Sequence, residues 1–192
     1  ANSTLRSNRT LNSISQGGAI FNQTAGQLTI NQTLLQDNQS PDGGGLYVAS
    51  GSSATLTGAT LRANHGGYGG GLENSGEVSI TQSLLEDNIV TGSGGGLWNL
   101  DGHVVMKQTT VRNNRAYEGG GVNSYGNAVE LTNVNITDNV ATGSHGGGIY
   151  HGGGTLFVTN ATISGNRANA AAGNGGGVYQ NSNDNLTLTN VT

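Results

Sequence analysis

Four histidines, 11 acidic residues and a recurring aromatic position are the side chains of this sequence that could do chemistry. Histidine offers a base or a metal ligand near neutral pH, paired carboxylates offer acid–base catalysis, and flat rings offer a stacking surface. Spacing argues against the first two. His65, His103, His145 and His151 lie beside glycine or turn segments without ligand spacing; only His145 and His151 are close, on either side of a Gly-Gly-Gly run. The acids are dispersed, no Ser/His/Asp set is identifiable, and no insertion is long enough to wall a cleft. The expectation is therefore no catalytic residue, no metal site and no cofactor.

Composition narrows the field further. Gly contributes 35 of 192 residues, charged residues 9% and Cys none, with a net charge of -4. Disorder usually combines high charge with few aliphatics, whereas here charge is low and the aliphatics are evenly spaced, which predicts order. Without a Lys/Arg cluster there is nothing to neutralise a phosphate backbone, so nucleic acid is excluded as a partner. No apolar run approaches the ~18 residues of a membrane span, so no membrane insertion is expected. The first residue, Ala1, suits either a mature product after signal removal or a fragment.

The elements that must position these side chains are set by a repeat. Glycine corners recur at 17–20, 43–46, 69–72, 94–97, 119–122, 146–149 and 175–178, and the aliphatic residues that close them lie 26, 26, 25, 25, 27 and 29 positions apart. A phosphate-binding loop is needed once; seven copies at near-fixed spacing are architecture. Between the corners an aliphatic-x-x-Asn motif returns, as in L-Q-D-N at 35–38, L-E-D-N at 85–88 and I-T-D-N at 136–139. Upstream of each Asn, apolar positions alternate with one irregular step, as in Val78, Ile80, Ser83 and Leu85. That pattern reads as two short strands joined by a bend. Helical periodicity is absent.

Each unit of about 25 residues thus supplies three short strands, and stacked units bury a continuous inward row that one coil could not bury alone. The predicted fold is all-β: a parallel β-helix of about seven coils over residues 1–192, without helical caps, roughly 35 Å long at ~4.8 Å per coil. The alternation of GG[AG]-I/L/V with [LVI]-x-x-N resembles the repeats of polymorphic outer-membrane proteins and related bacterial surface adhesins. The resemblance spans essentially the whole chain. It implies the right hand of the helix, an exported protein at the cell surface, and a role in adhesion. Aliphatics replace the Phe of that family's motif, and no autotransporter barrel follows.

In such a stack the columns carry the meaning. Asn8, Asn38, Asn64, Asn88, Asn114, Asn139 and Asn166 form one column, whose amides can bond coil to coil while satisfying the bent backbone. Preceding positions alternate charge, notably Arg62, Glu86 and Arg112, as expected of a solvated face with modest ion pairing. A Ca²⁺ site near Asp87 is disfavoured, because one carboxylate per level with neutral flanks makes a poor cage. After each corner an outward column reads Phe21, Tyr47, Glu73, Trp98, Asn123, Tyr150 and Tyr179. Its aromatic members either stack on one another and on neighbouring rods or offer a platform for glycans. Thr-x-Thr pairs such as Thr55 and Thr57 resemble ice-binding arrays, but Asn31, Lys107, Glu130 and Phe157 interrupt them. Of nine N-x-S/T sequons, Asn2, Asn31, Asn135, Asn160, Asn185 and Asn190 are expected to be accessible, while Asn8, Asn38 and Asn22 face inward.

The ends lack the polar caps with which solenoids usually protect an open coil. The chain enters within a third strand and leaves after a second strand and bend, so that tail and head together complete one coil. Ser3 and Leu5 at one end, and Leu186, Leu188 and Val191 at the other, are the expected self-association residues. The functional expectation is an extracellular structural protein whose copies stack head to tail into a filament. A segment of a larger glycan-binding surface adhesin and a polysaccharide-active enzyme are the alternatives.

Overall fold

Alternating sequences such as Glu77–Thr81 place Val78 and Ile80 on one side and Glu77, Ser79 and Thr81 on the other, which favours a strand with one buried face. The computed structural model describes residues 2–10, 12–181 and 184–192. Among them every regular element is a strand and every strand pairing is parallel.

Three sheets run along the stack. The strands that follow the glycine corners, from Ile20–Asn22 to Val178–Gln180, form a seven-stranded sheet in unbroken register, with Leu46, Leu72, Leu97, Val122, Ile149 and Val178 in one line. The second and third strands of each coil, such as Glu77–Thr81 and Leu84–Glu86, form two ranks of a 13-stranded sheet. These ranks join because Thr155–Ser164 runs through both without interruption. The residues after each ladder Asn, which carry no alternation signal, pair as a six-stranded sheet of their own, including Gln39–Asp42, His65–Tyr68 and Ile89–Val90.

The bends explain the composition. Each coil turns at residues with left-handed backbone, represented by Gly43 (φ 61°), Gln82 (φ 51°) and Asp87 (φ 56°), and the equivalent residues of other coils behave alike. Gly and Asn/Asp visit this region at little cost; Gln is held there by the coils on either side. The glycines of one corner serve different needs. Gly43 supplies the positive φ, whereas Gly45 makes room: a Cβ there would lie 2.6 Å from the carbonyl oxygen of Gly71 in the next coil.

Inside, aliphatic columns fill the coil from every sheet. Leu46, Leu56, Leu72, Ile80, Leu85, Leu97, Met106 and Ile136 are fully buried, and each such side chain contributes about 1.5–3 kcal/mol relative to exposure. The last coil continues the same columns. Leu186, Leu188 and Val191 pair with Leu156, Val158 and Ala161, and Leu188 is 47% exposed.

Candidate functional site

The asparagine column is a directional relay. Asn38, Asn64, Asn88, Asn114 and Asn139 are fully buried. Each sends its backbone N–H and its Nδ2 to the Oδ1 of the next Asn, from Asn64 to Asn88 at 3.0 and 3.1 Å for example. The second Nδ2 hydrogen goes to a main-chain carbonyl, that of Leu35 for Asn64 and Leu61 for Asn88. Asn8 and Asn166 are the terminal members, each bonded to its neighbour in the column. A second inward polar file was not anticipated: Asn74 Nδ2 donates to Asn99 Oδ1 at 2.9 Å and to the carbonyl of Gly76. The equal placement of Asn74 and Asn99, two residues past the corner aliphatics Leu72 and Leu97, is the sequence signal that could have revealed it.

The candidate site is a crease beside the glycine corners. The segment leading into each corner folds against the outer face of the strand leaving it, because the left-handed first glycine reverses the chain. The residue before the corner therefore faces the column of Phe21, Tyr47, Glu73, Trp98, Asn123, Tyr150 and Tyr179. Tyr68 stacks on Trp98 with ring centroids 4.4 Å apart, and His145 stacks on Tyr179 at 4.2 Å. Tyr150 lies 5.3 Å from Tyr179 and hydrogen-bonds its hydroxyl to that of Tyr125.

This packing corrects the expectation of an outward aromatic surface. Tyr47 is 9% and Tyr150 4% exposed, Trp98 and Tyr179 are half-buried, and only Phe21 at 45% lies open. The column faces away from the core, yet the incoming segments cover it, so it is no continuous platform for sugar rings. The open rings are instead Tyr68 and Tyr117, on the covering segments themselves.

Two carboxylates dispersed in the sequence meet in this crease. Glu73 is 2% exposed, and its Oε2 has no hydrogen-bond partner among the described residues. Burial, followed by the charge of Asp42, pushes its carboxyl up to about 8 despite hydrogen bonding from the Gly43 backbone. Glu73 therefore carries a proton at neutral pH. Burial raises Asp42 as well, opposed by hydrogen bonding from Gln16. A protonated acid beside a second carboxyl is an acid–base arrangement in chemical terms, but Glu73 is enclosed by the crease and offers no face to a substrate in this conformation. His151, at the position of Asn74 and Asn99 two coils on, is also buried, and burial lowers its pKa against the opposing charge of Asp184.

The remaining predicted residues are placed as follows. Asn2, Asn31, Asn135, Asn160, Asn185 and Asn190 are exposed, whereas Asn22 and Asn38 are buried; Asn8 is exposed on the terminal coil with its amide in the relay. Arg112 holds Glu86 through Nε and a terminal guanidinium nitrogen at 3.0 and 2.7 Å, and Arg62 approaches the same carboxylate at 3.8 Å. Ser3 is exposed and Leu5 half-buried, paired with Thr33 and Leu35.

The parallel register, the inward aliphatic columns and the repeating corners meet in a sequence comparison: the profile of the right-handed β-helix region matches residues 1–166. The chain belongs to that family. No curated protein and no solved structure matches it. Its seven turns are thus those of a right-handed β-helix, a fold that also occurs in polysaccharide enzymes.

Proposed function

We propose that this β-helix is a non-catalytic structural element of the cell exterior, a rod that lengthens when a second copy stacks head to tail. The observation that carries the reading is the complementarity of its end coils. Among the described residues no donor reaches Asn8 Oδ1 in the first coil, and no acceptor takes the backbone N–H of Asn166 near the last. Leu186, Leu188 and Val191 continue the core columns at the trailing end, and Ser3 and Leu5 continue them at the leading end. Contact between unlike ends repeats without closing, and so makes a filament. The exposed sequon asparagines are compatible with an exported, decorated surface.

Light scattering and electron microscopy of the purified chain across a concentration series test this. Wild type should form rods that lengthen with concentration. Leu188→Asp, which puts a charge into the junction, should remain short with unchanged β-sheet circular dichroism. Monomers at every concentration would overturn the proposal.

Glycan adhesion is the second reading, favoured by Tyr68 and Tyr117, which are 41% and 52% exposed. Its test is retention on immobilised glycans, which Tyr117→Ala should abolish.

A further inference from the structure

We propose that Asn174 is a site of spontaneous backbone modification, converting through a succinimide to aspartate and isoaspartate, and that docking of another coil on this end suppresses it. The second clause rests on the end-to-end reading above; the first does not.

Asn174-Gly175 is the only Asn-Gly pair in the chain. Glycine follows because the corner demands it: Gly175 has φ 63°, and a Cβ there would lie 2.7 Å from that of Tyr179. The corner's requirement thus removes the side chain that would shield the peptide nitrogen. Asn174 is exposed, and among the described residues its Nδ2 is tied only to the carbonyl of Ala172 within the same loop, at 3.2 Å. The buried relay asparagines are instead fixed by several bonds.

The corner nitrogens separate this site from its equivalents. Gly17, Gly43, Gly69, Gly94, Gly119 and Gly146 each donate their N–H to the residue before the next corner, at 2.8 to 3.1 Å. Gly175 has no such acceptor among the described residues. Asp42-Gly43 is open to the same ring closure in principle, but its nitrogen is held to the carbonyl of Tyr68 at 3.1 Å. A stacked copy would present the carbonyl of its Gln16 to Gly175 and hold that nitrogen in the same way.

In the reaction the Gly175 nitrogen attacks Asn174 Cγ. The new N–Cγ bond forms as Cγ–Nδ2 breaks, and ammonia departs with the proton lost from the peptide nitrogen. Water then opens the ring at either carbonyl. One product is aspartate; the other routes the main chain through Cβ. Asn174 donates its N–H to His145 Nδ1 at 3.0 Å and accepts from Gly146 through its carbonyl at 3.0 Å. Either product sets a carboxylate beside that imidazole, and isoaspartate also displaces the last corner from register.

The purified chain is incubated in mildly alkaline buffer, folded and in denaturant, and digested for peptide mapping with electron-transfer fragmentation. Folded Asn174 should convert within about tenfold of its denatured rate, while Asn64 and Asn88 are protected by the closed structure. Folded conversion more than about a hundredfold slower than denatured would overturn the site. Asn174→Ser should lose the ammonia release and the isoaspartate signal from this peptide; their persistence would overturn it too. Rods separated by sedimentation should show less conversion at Asn174 than free chains, and equal conversion would overturn the protection. A chain that never assembles but still converts at Asn174 would leave the site standing and sink the stacking reading alone.

Discussion

Asn88 is tied twice to Asn114: its Nδ2 and its backbone N–H both reach Asn114 Oδ1, at 2.9 and 3.0 Å. One oxygen therefore serves two buried donors, while Asn114 Nδ2 satisfies the carbonyl of Leu85 and the next amide, that of Asn139. Asn114→Ala should destabilise the fold by on the order of 1–3 kcal/mol, since buried groups lose partners that water cannot replace. The exposed Asn8→Ala is the comparison. Urea melts showing equal losses for the two variants would refute the role of burial.

Glu73 makes stability depend on pH in an unusual sense for a carboxylate. Its folded pKa of about 8 lies above the ordinary 4.5, so the folded state holds the proton more tightly than the unfolded chain. Its stabilising contribution is complete below the ordinary value and is lost as pH rises towards about 8, with a limiting slope of about 1.4 kcal/mol per pH unit. Glu73→Gln should flatten that part of the stability profile. A profile that keeps its slope in the variant would remove Glu73 as the cause.

Two glycines with different reasons to be glycine should respond to substitution by different amounts. Gly71→Ala places a methyl 2.6 Å from the Gly96 carbonyl oxygen, with other coils on both sides, and should destabilise by roughly 1–3 kcal/mol. Gly58 has φ 61° but no neighbour closer than 3.5 Å to its Cβ position, and its equivalents include Gln32, Gln82 and Asn133. Gly58→Asn should change stability by less than about 0.5 kcal/mol. Thermal melts that rank the two alike would contradict the distinction.

Glu86 sits between Arg62 and Arg112 on neighbouring coils, with its carboxylate largely covered and both guanidinium groups near half-exposed. The melting difference between wild type and Glu86→Gln should shrink as salt is added, because the arginine ends are screened. A difference independent of salt would mean that packing, not charge, sets it.

The sequence disclosed the corners, the Asn column and the aliphatic rows because stacking puts one position of the repeat into one environment. Val78 and Val104 meet the same surroundings for the same reason. The crease was not legible. Its covering strands, such as His65–Tyr68, are short, glycine-containing and without alternation, so nothing in their pattern showed that they fold over Tyr47 and Trp98. The meeting of Asp42 with Glu73 was hidden too, since it joins the entry of one corner to the exit of the next, 31 residues apart. The left-handed bends at Gln82 and Gln108 gave no signal either, because glutamine has no local preference for that conformation and tertiary stacking imposes it.

The relay of asparagine amides has an electrical consequence. From Asn8 to Asn139, every side-chain amide in the file points its nitrogen towards the following coil's oxygen. An amide dipole is about 3.5 D, and dipoles arranged nose to tail reinforce one another. The file of amides thus carries a dipole with a fixed axis along the stack. Two such files lying side by side repel when their axes are parallel and attract when they are opposed.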